Sequence, residues 1–146
     1  MISSVIHIGI VVEDMEKMVK FYRDTLGMIF IKEDNNEPGR ILGNLKIEKK
    51  AVFLDAGNTV IELLDYEPFT EEQGKMATRE TPGLAHIAFE VDDVDKTVRE
   101  LEAKGVVFDI QPIDCGTCTV AFFTDPEGNI LEFYKEKGGL SLRSFS

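Results

Sequence analysis

The chain carries one sequence pattern twice. His7 and His86 each lie near the start of a similar apolar stretch, and each copy later ends in an apolar stretch that holds one glutamate, Glu62 or Glu132. The offset that matches the two histidines also matches further residues: Val12 with Val91, Asp14 with Asp93, and Val19 with Val98. A repeat this long indicates a duplicated unit rather than a short solenoid period. Each copy shows a strand, an acidic turn, a helix, a glycine and further strands, so the sequence predicts an α+β fold of two βαβββ modules.

Size and charge limit the classes of function. With 146 residues, 43% of them apolar, the chain can bury one shared core. The net charge of −11 argues against a nucleic-acid partner, which is normally bound through basic patches. No apolar run approaches the roughly 18 residues of a membrane helix, and the first residues do not resemble a signal peptide. We therefore expect a cytoplasmic protein with no membrane partner.

Turn-forming and charged residues predict where the modules begin and end. The expected organisation is a first module over residues 1–67, a linker over 68–83, a second module over 84–137 and a tail over 138–146. Within the first module, residues 33–44 are expected to form a loop between two strands, because they are polar and include Pro38-Gly39. In the second module, residues 125–129 predict a turn before the last strand.

A helix is predicted in each module from the 3.6-residue spacing of its apolar side chains. In the first module Asp14 is expected to cap the helix and Gly27 to end it. In the second, the cap is Asp92 or Asp93, and Gly105 ends the helix. The apolar stripes comprise Met15, Met18, Val19, Tyr22 and Leu26 in the first helix, and Val94, Val98 and Leu101 in the second.

Alternation along the two opening strands predicts where the histidines point. Side chains two residues apart share a face of a strand, so His7 shares a face with Gly9, and His86 shares one with Ala88. The bulkier neighbours, such as Ile8 in the first strand, point the other way. Small residues beside both histidines leave room for a ligand. A single histidine is more often structural, but two at equivalent positions favour a function.

The two glutamates complete a set of possible metal ligands. Glu62 and Glu132 each lie among apolar residues of a strand, where an unpaired carboxylate is costly and tends to take up a proton. A divalent cation would remove that cost. The alternative, an edge strand with its glutamate in water, is reasonable for one residue and less so for both. The residues therefore predict a metal centre formed by His7, Glu62, His86 and Glu132.

Cys115 and Cys118 are spaced like a redox pair or half of a zinc site. The chain has only two cysteines, so a four-cysteine zinc site within one chain is impossible. Reduced thiols are the expected state in the cytosol, and a redox role for the pair stays open.

Three segments resemble the vicinal oxygen chelate superfamily, which includes glyoxalase I, bleomycin resistance proteins and extradiol dioxygenases. They are the opening His7–Val12 stretch with the later Phe21-Tyr22 and Leu26-Gly27, the second histidine, and the stretch Phe122–Glu132. The resemblance covers nearly the whole chain. It implies paired βαβββ modules that form curved mixed sheets around a metal-binding cleft, with His7, Glu62, His86 and Glu132 as metal ligands.

A fourth ligand at the position of Glu62 resembles the glyoxalase I and methylmalonyl-CoA epimerase branches of the superfamily. The resemblance implies a lyase or isomerase that removes a proton next to a carbonyl while a divalent metal stabilises an enediolate. Glu132 or Glu62 would be the base. Zinc, nickel, cobalt and manganese all suit a mixed nitrogen and oxygen ligand set.

The substrate class stays open between a hemithioacetal and an acyl-CoA thioester. Val11 stands where glutathione-dependent bacterial relatives carry an arginine, which puts recognition of glutathione in doubt. The resemblance also implies a homodimer, in which the modules could be swapped between chains. Two alternatives are a metal-free drug-binding resistance protein of the same fold and an extradiol-type dioxygenase.

Overall fold

The computed structural model describes residues 1–37, 41–42, 45–46, 48–66, 82–138 and 142. The chain divides into two compact units, Met1–Lys75 and Met76–Ser146. Each unit contains a mixed four-stranded sheet and one principal helix, in the order βαβββ. The predicted α+β class and the duplicated βαβββ pattern are therefore confirmed.

The first unit builds its sheet from strands that are distant in sequence. Its elements are β1 (His7–Val11), α1 (Met15–Lys20) with a π-helical continuation (Phe21–Thr25), β2 (Ile29–Asn35), β3 (Ile41–Leu42), β4 (Leu45–Lys46), β5 (Lys50–Asp55) and β6 (Val60–Asp65). The sheet order is β1-β6-β5-β2, and β1 runs parallel to β6 while the other neighbours are antiparallel. β3 and β4 pair separately as a two-stranded hairpin.

The second unit repeats this topology. Its elements are β7 (Ile87–Glu90), α2 (Val94–Glu102), β8 (Phe108–Asp114), β9 (Cys118–Thr124) and β10 (Ile130–Glu136). The sheet order is β7-β10-β9-β8, with β7 parallel to β10. In both units the opening strand therefore lies beside the closing strand, and this adjacency places each histidine next to a glutamate of the same repeat.

Both helices begin and end as the sequence predicts. Asp14 accepts a hydrogen bond from the Lys17 amide at 3.0 Å, and Asp93 accepts one from the Lys96 amide at 2.8 Å. Asp93 rather than Asp92 is thus the cap of α2. Gly27 and Gly105 adopt positive φ angles of 80° and 91° within three residues of the ends of the helical segments, which favours glycine because it has no Cβ.

The apolar face of each helix covers one face of its own sheet. In the first unit Met18 and Tyr22 are fully buried, together with Ile61 and Leu63 of β6. In the second unit Val98 and Leu101 of α2 are buried, and Phe108, Phe123 and Phe133 stack with ring centroids 4.7 to 6.0 Å apart. The histidines lie on the strand faces that these cores leave uncovered.

The predicted loop over residues 33–44 was wrong at residues 33–35 and 41–42, and residues 38–40 and 43–44 lie outside the described residues. β2 continues through Asn35, which pairs with Lys50, and residues 41–42 form β3. β2 is an edge strand with nearly every side chain exposed, so its charged residues meet water on both faces. Polar sequence therefore indicated a loop where the backbone is a strand.

The predicted linker and tail fall mostly outside the described residues, so the module boundaries stay predictions. Within the described part of the chain, no helix is both long enough and apolar enough to span a membrane.

Candidate metal centre

In the first unit, His7 and Glu62 form a direct pair. The register of β1 with β6 places Gly9 opposite Glu62 and His7 opposite Val60, so both side chains project from the same sheet face. His7 Nε2 lies 3.1 Å from Glu62 Oε2. The histidine side chain is 45% exposed, whereas that of the glutamate is only 14% exposed. A largely buried carboxylate is thus held against an imidazole that is open to solvent.

The second unit contains an equivalent pair. The register of β7 with β10 places Ala88 opposite Glu132, and His86 comes one residue before β7 begins. His86 Nε2 lies 2.9 Å from Glu132 Oε2, and the side chains are 36% and 10% exposed. The Phe122 ring meets the His86 ring edge to face, with centroids 5.5 Å apart. Aromatic packing therefore helps to fix the imidazole of this pair.

A small residue beside each histidine keeps space open for the carboxylate. A Cβ atom added at Gly9 would lie 3.2 Å from Leu64 Cδ1 and 3.8 Å from Glu62 Oε2. Gly9 has ordinary extended backbone, since its φ angle is not among the positive ones. Its lack of a side chain therefore matters for space rather than for backbone conformation.

Burial makes the Glu132 carboxylate a costly charge in the absence of a cation. Desolvation raises the pKa of Glu132 above its ordinary value, and the charge of His86 and its hydrogen bond offset only part of that rise. A cation in contact with the carboxylate would favour its ionised form. The electrostatics of this position therefore suit a metal ligand.

The donor chemistry fits a divalent metal. Each unit supplies one imidazole nitrogen and one carboxylate oxygen, and a combined set of two nitrogens and two oxygens suits borderline first-row ions. Among the described residues, no group of three or more histidine, cysteine, aspartate or glutamate side chains is gathered closely enough to hold an ion. The four predicted ligands are thus brought together as two pairs, one in each unit.

Two tyrosines border these pairs, Tyr66 in the first unit and Tyr134 in the second. Burial raises the pKa of Tyr66, and the charges of Glu48 and Glu62 raise it further. Burial also raises the pKa of Tyr134, followed by a hydrogen bond with the Cys118 side chain. Tyr134 follows Glu132 by two residues along β10, so alternation alone places it on the same face.

A cavity of about 690 Å³ in the first unit lies on the opposite side of the sheet. Its lining includes residues of α1, the π-helical turn, β2 and β5, with Lys20, Arg23 and Lys50 among them. Val52 and Asp65 also line it, and they alternate with the positions that share a face with Glu62. This cavity therefore includes none of the four predicted ligands.

Comparison with known proteins identifies the family. The model of the Glyoxalase/Bleomycin resistance protein/Dioxygenase superfamily matches residues 4–133. The uncharacterised protein YraH of Bacillus subtilis is 34% identical over 89% of this chain and 96% of its own length. A probable lactoylglutathione lyase of Vibrio parahaemolyticus is 29% identical over 91% of each chain.

Solved structures agree with this result. The crystal structure of SMU.1112c matches with a TM-score of 0.72 and 28% identity, over 92% of this chain and all of that one. The paired βαβββ units and the family match define a protein of the vicinal oxygen chelate fold. The chain belongs to the glyoxalase, bleomycin resistance protein and dioxygenase superfamily.

Proposed function

We propose that this protein is a metal-dependent lyase or isomerase of the glyoxalase type, in which His7, Glu62, His86 and Glu132 hold one divalent ion. The supporting observation is that both units contain the same pair of a histidine and a glutamate. Each unit sets an exposed imidazole 3.1 Å or less from a largely buried carboxylate, at equivalent positions of parallel strand pairs. Together the two pairs supply two nitrogen and two oxygen donors, a set that one divalent ion can take.

The chain's own residues supply binding and proton transfer in the proposed reaction. When bound, the ion would act as a Lewis acid toward substrate oxygen atoms. Glu62 or Glu132 takes the proton from the carbon next to the carbonyl and returns it to the product. Because both carboxylates are shielded by neighbouring strands, little water competes for that proton.

The substrate proposed is a small carbonyl compound, either a hemithioacetal or an acyl thioester. The relatives named lactoylglutathione lyase support the first of these, at 27% to 29% identity over most of both chains. Val11, which lies on the His7 face of β1 and is 44% exposed, offers no positive charge to the carboxylates of glutathione. Hemithioacetals of other thiols therefore belong in the assay beside that of glutathione.

Elemental analysis of protein purified without a metal-chelating tag tests the metal centre. We expect one divalent ion per chain in the native protein and a loss of most of it in His7→Ala and Glu62→Gln. Glu100→Gln is the matched control, because Glu100 lies on the exposed side of α2 and pairs only weakly with Lys96, at 3.9 Å. This control should keep its metal.

Failure of the metal test would favour the drug-binding alternative. A protein that contains no metal, and that zinc, nickel, cobalt and manganese do not stabilise against heat, would contradict the proposed centre. Consumption of dioxygen with catechols and ferrous iron would instead indicate the dioxygenase alternative.

Turnover of Glu132→Gln and Glu62→Gln tests the proposed base. Rates must be expressed per bound metal ion, since either variant can lose metal as well as the base. We expect at least one variant to lose about two orders of magnitude or more per metal ion, the usual contribution of a general base. If neither loses activity beyond its loss of metal, neither glutamate is the base.

We also propose a homodimer, and a mixing experiment asks whether its sites are shared. His7→Ala and His86→Ala are unfolded and refolded together. If each centre takes one pair from each chain, the mixed dimer contains one intact set of ligands and regains metal. If each centre takes both pairs from one chain, mixing restores nothing.

A further inference from the structure

The β8–β9 hairpin turn brings the two cysteines of the chain together. The last paired residues are Asp114 and Thr119, and within the turn the Cys115 amide donates to the Cys118 carbonyl at 2.9 Å. Gly116 has a φ angle of 86°, and its amide donates to Asp114 Oδ1 at 2.8 Å. These two hydrogen bonds hold the turn in one conformation.

The turn sets the two cysteines opposite each other, as the positions that follow the last pair of the ladder, Asp114 with Thr119. A disulfide needs Cα atoms roughly 4.4 to 6.8 Å apart, which residues at the two ends of a tight turn can meet. Cys115 is exposed and Cys118 is buried, and both are free thiols. The pKa of Cys115 is raised by burial of the sulfur and then by a hydrogen bond with the Cys118 side chain. The backbone hydrogen bond that closes the turn therefore places the two thiols at neighbouring positions.

Cys118 also lies on the sheet face that carries Glu132. The register of β9 with β10 pairs Cys118 with Glu136, Val120 with Tyr134, and Phe122 with Glu132. Because side chains two residues apart share a face, Cys118, Tyr134 and Glu132 all lie on the same side of this sheet. Burial raises the pKa of Tyr134, and the Cys118 side chain raises it further. Neighbouring positions on one sheet face thus lead from the turn to Tyr134, which is two residues from Glu132.

We propose that Cys115 and Cys118 form a reversible disulfide and that its formation changes the environment of Tyr134 on the Glu132 face. The oxidant is a low-molecular-weight disulfide. The Cys115 thiolate attacks it and releases one small thiol, and Cys118 then attacks the mixed disulfide at Cys115 Sγ and releases the second. Two S–H bonds of the protein are replaced by one S–S bond, and both electrons and both protons end on the released thiols.

The order of attack follows from exposure. Cys115 can meet a dissolved disulfide, whereas buried Cys118 can react only with its neighbour. A hydrogen bond that raises the pKa of Tyr134 is one that the phenol donates to the Cys118 sulfur. After closure that sulfur is bonded to Cys115 and is held in the geometry of the disulfide, so the acceptor beside Tyr134 changes, although neither strand needs to move.

Redox equilibration of the full-length, metal-free protein tests disulfide formation. The protein is incubated in mixtures of reduced and oxidised glutathione, quenched with acid, unfolded, alkylated and analysed by mass spectrometry. We expect the native protein to pass from two alkylated thiols to none as the oxidised fraction rises, and to return on reduction. Cys115→Ser should keep Cys118 alkylatable throughout. Two thiols that stay free, or a glutathione adduct on Cys115 that Cys118 does not displace, would overturn the proposal.

Tyrosine fluorescence tests the link to Tyr134. The chain has three tyrosines and no tryptophan, so tyrosine emission is observed directly. We expect oxidation to change the emission of the native protein and to change that of Tyr134→Phe much less. An equal change in both proteins would disprove the link to Tyr134. Neither experiment requires bound metal, so failure here would leave the proposed metal centre unaffected, and the reverse also holds.

Discussion

Gly9 shows how one missing side chain can serve a site. It lies opposite Glu62 in the register of β1 with β6, and an added Cβ would approach Leu64 Cδ1 and Glu62 Oε2. The equivalent position in the second unit holds Ala88, opposite Glu132. The second unit thus has room for a methyl group beside Glu132. We expect the first unit to have room for a side chain of similar size beside Glu62.

Gly9→Ala and Gly9→Val test whether glycine is needed at this position for the space beside Glu62 or for its backbone conformation. Alanine should change the free energy of unfolding by less than about 1 kcal/mol, because the benefit of removing a strand glycine offsets the contact with the flexible end of Leu64. Valine should cost about 1–3 kcal/mol through overpacking, and it should displace the Glu62 carboxylate. Urea denaturation measures the stability, and metal content measures the site. A Gly9→Val protein with full metal content would show that the space beside Glu62 is not needed.

At the residue scale the sequence predicted on which face of its strand each side chain lies, but not which residues that side chain contacts. Alternation placed His7, Gly9 and Val11 on one face, and the structure confirms that Ile10 and Val12 of the other face are buried. The contact between His7 and Glu62 depends on β1 lying beside β6 rather than beside β2. That adjacency joins residues 55 positions apart in the chain (62 − 7), and no local pattern contains it.

The turn between β9 and β10 determines where Glu132 points. Asp125 is 3% exposed, and its carboxylate accepts hydrogen bonds from the Glu127 amide, the Asn129 amide and the Asn129 side chain at 2.7 to 3.0 Å. Gly128 has a φ angle of 88°. These bonds set the first pair of the ladder, Thr124 with Ile130. A slip of one residue would turn Glu132 to the opposite face of the sheet.

Asp125→Ala should therefore destabilise the protein strongly. Removal of the carboxylate leaves two part-buried amides and the Asn129 side chain without their acceptor, at an expected cost of about 2–4 kcal/mol. Asp125→Asn is the matched control, because it keeps an oxygen for the backbone amides and loses only the charge and the side-chain bond. We expect it to cost roughly half as much in urea denaturation. Equal stability of the two variants would show that the backbone hydrogen bonds contribute little.

Elements were predicted well where one local cause dominates. Both helices begin at an aspartate cap and end before a glycine, and each of these signals acts within one turn of the helix. The π-helical turn Phe21–Thr25 was missed, because the apolar positions Tyr22 and Leu26 continue the stripe of α1 at ordinary helical spacing. The end of β2 was missed because cross-strand pairing with β5, rather than its polar sequence, keeps it extended.

For the whole molecule, the proposed function requires that two separately built pairs act as one centre. Each unit has its own core, its own sheet and its own contact between a histidine and a glutamate. Duplication explains why the pairs are equivalent, and the role of all four residues as ligands of one ion stays a prediction. The sequence could not predict that each histidine would contact the glutamate of its own repeat.

A double-mutant cycle tests whether the two pairs share one ion. His7→Ala and Glu132→Gln change residues in different units whose observed partners are also different, Glu62 and His86. In metal-free protein their effects on the free energy of unfolding should add to within about 0.5 kcal/mol.

With metal at a hundred times its dissociation constant, binding adds about 2.7 kcal/mol to the free energy of unfolding of the native protein. Each single variant should lose most of that stabilisation, and the double variant cannot lose it twice. The single effects should then sum to about 2.7 kcal/mol more than the effect of the double variant. Additivity in both conditions, measured by urea denaturation with metal and with chelator, would mean that the pairs do not bind a common ion.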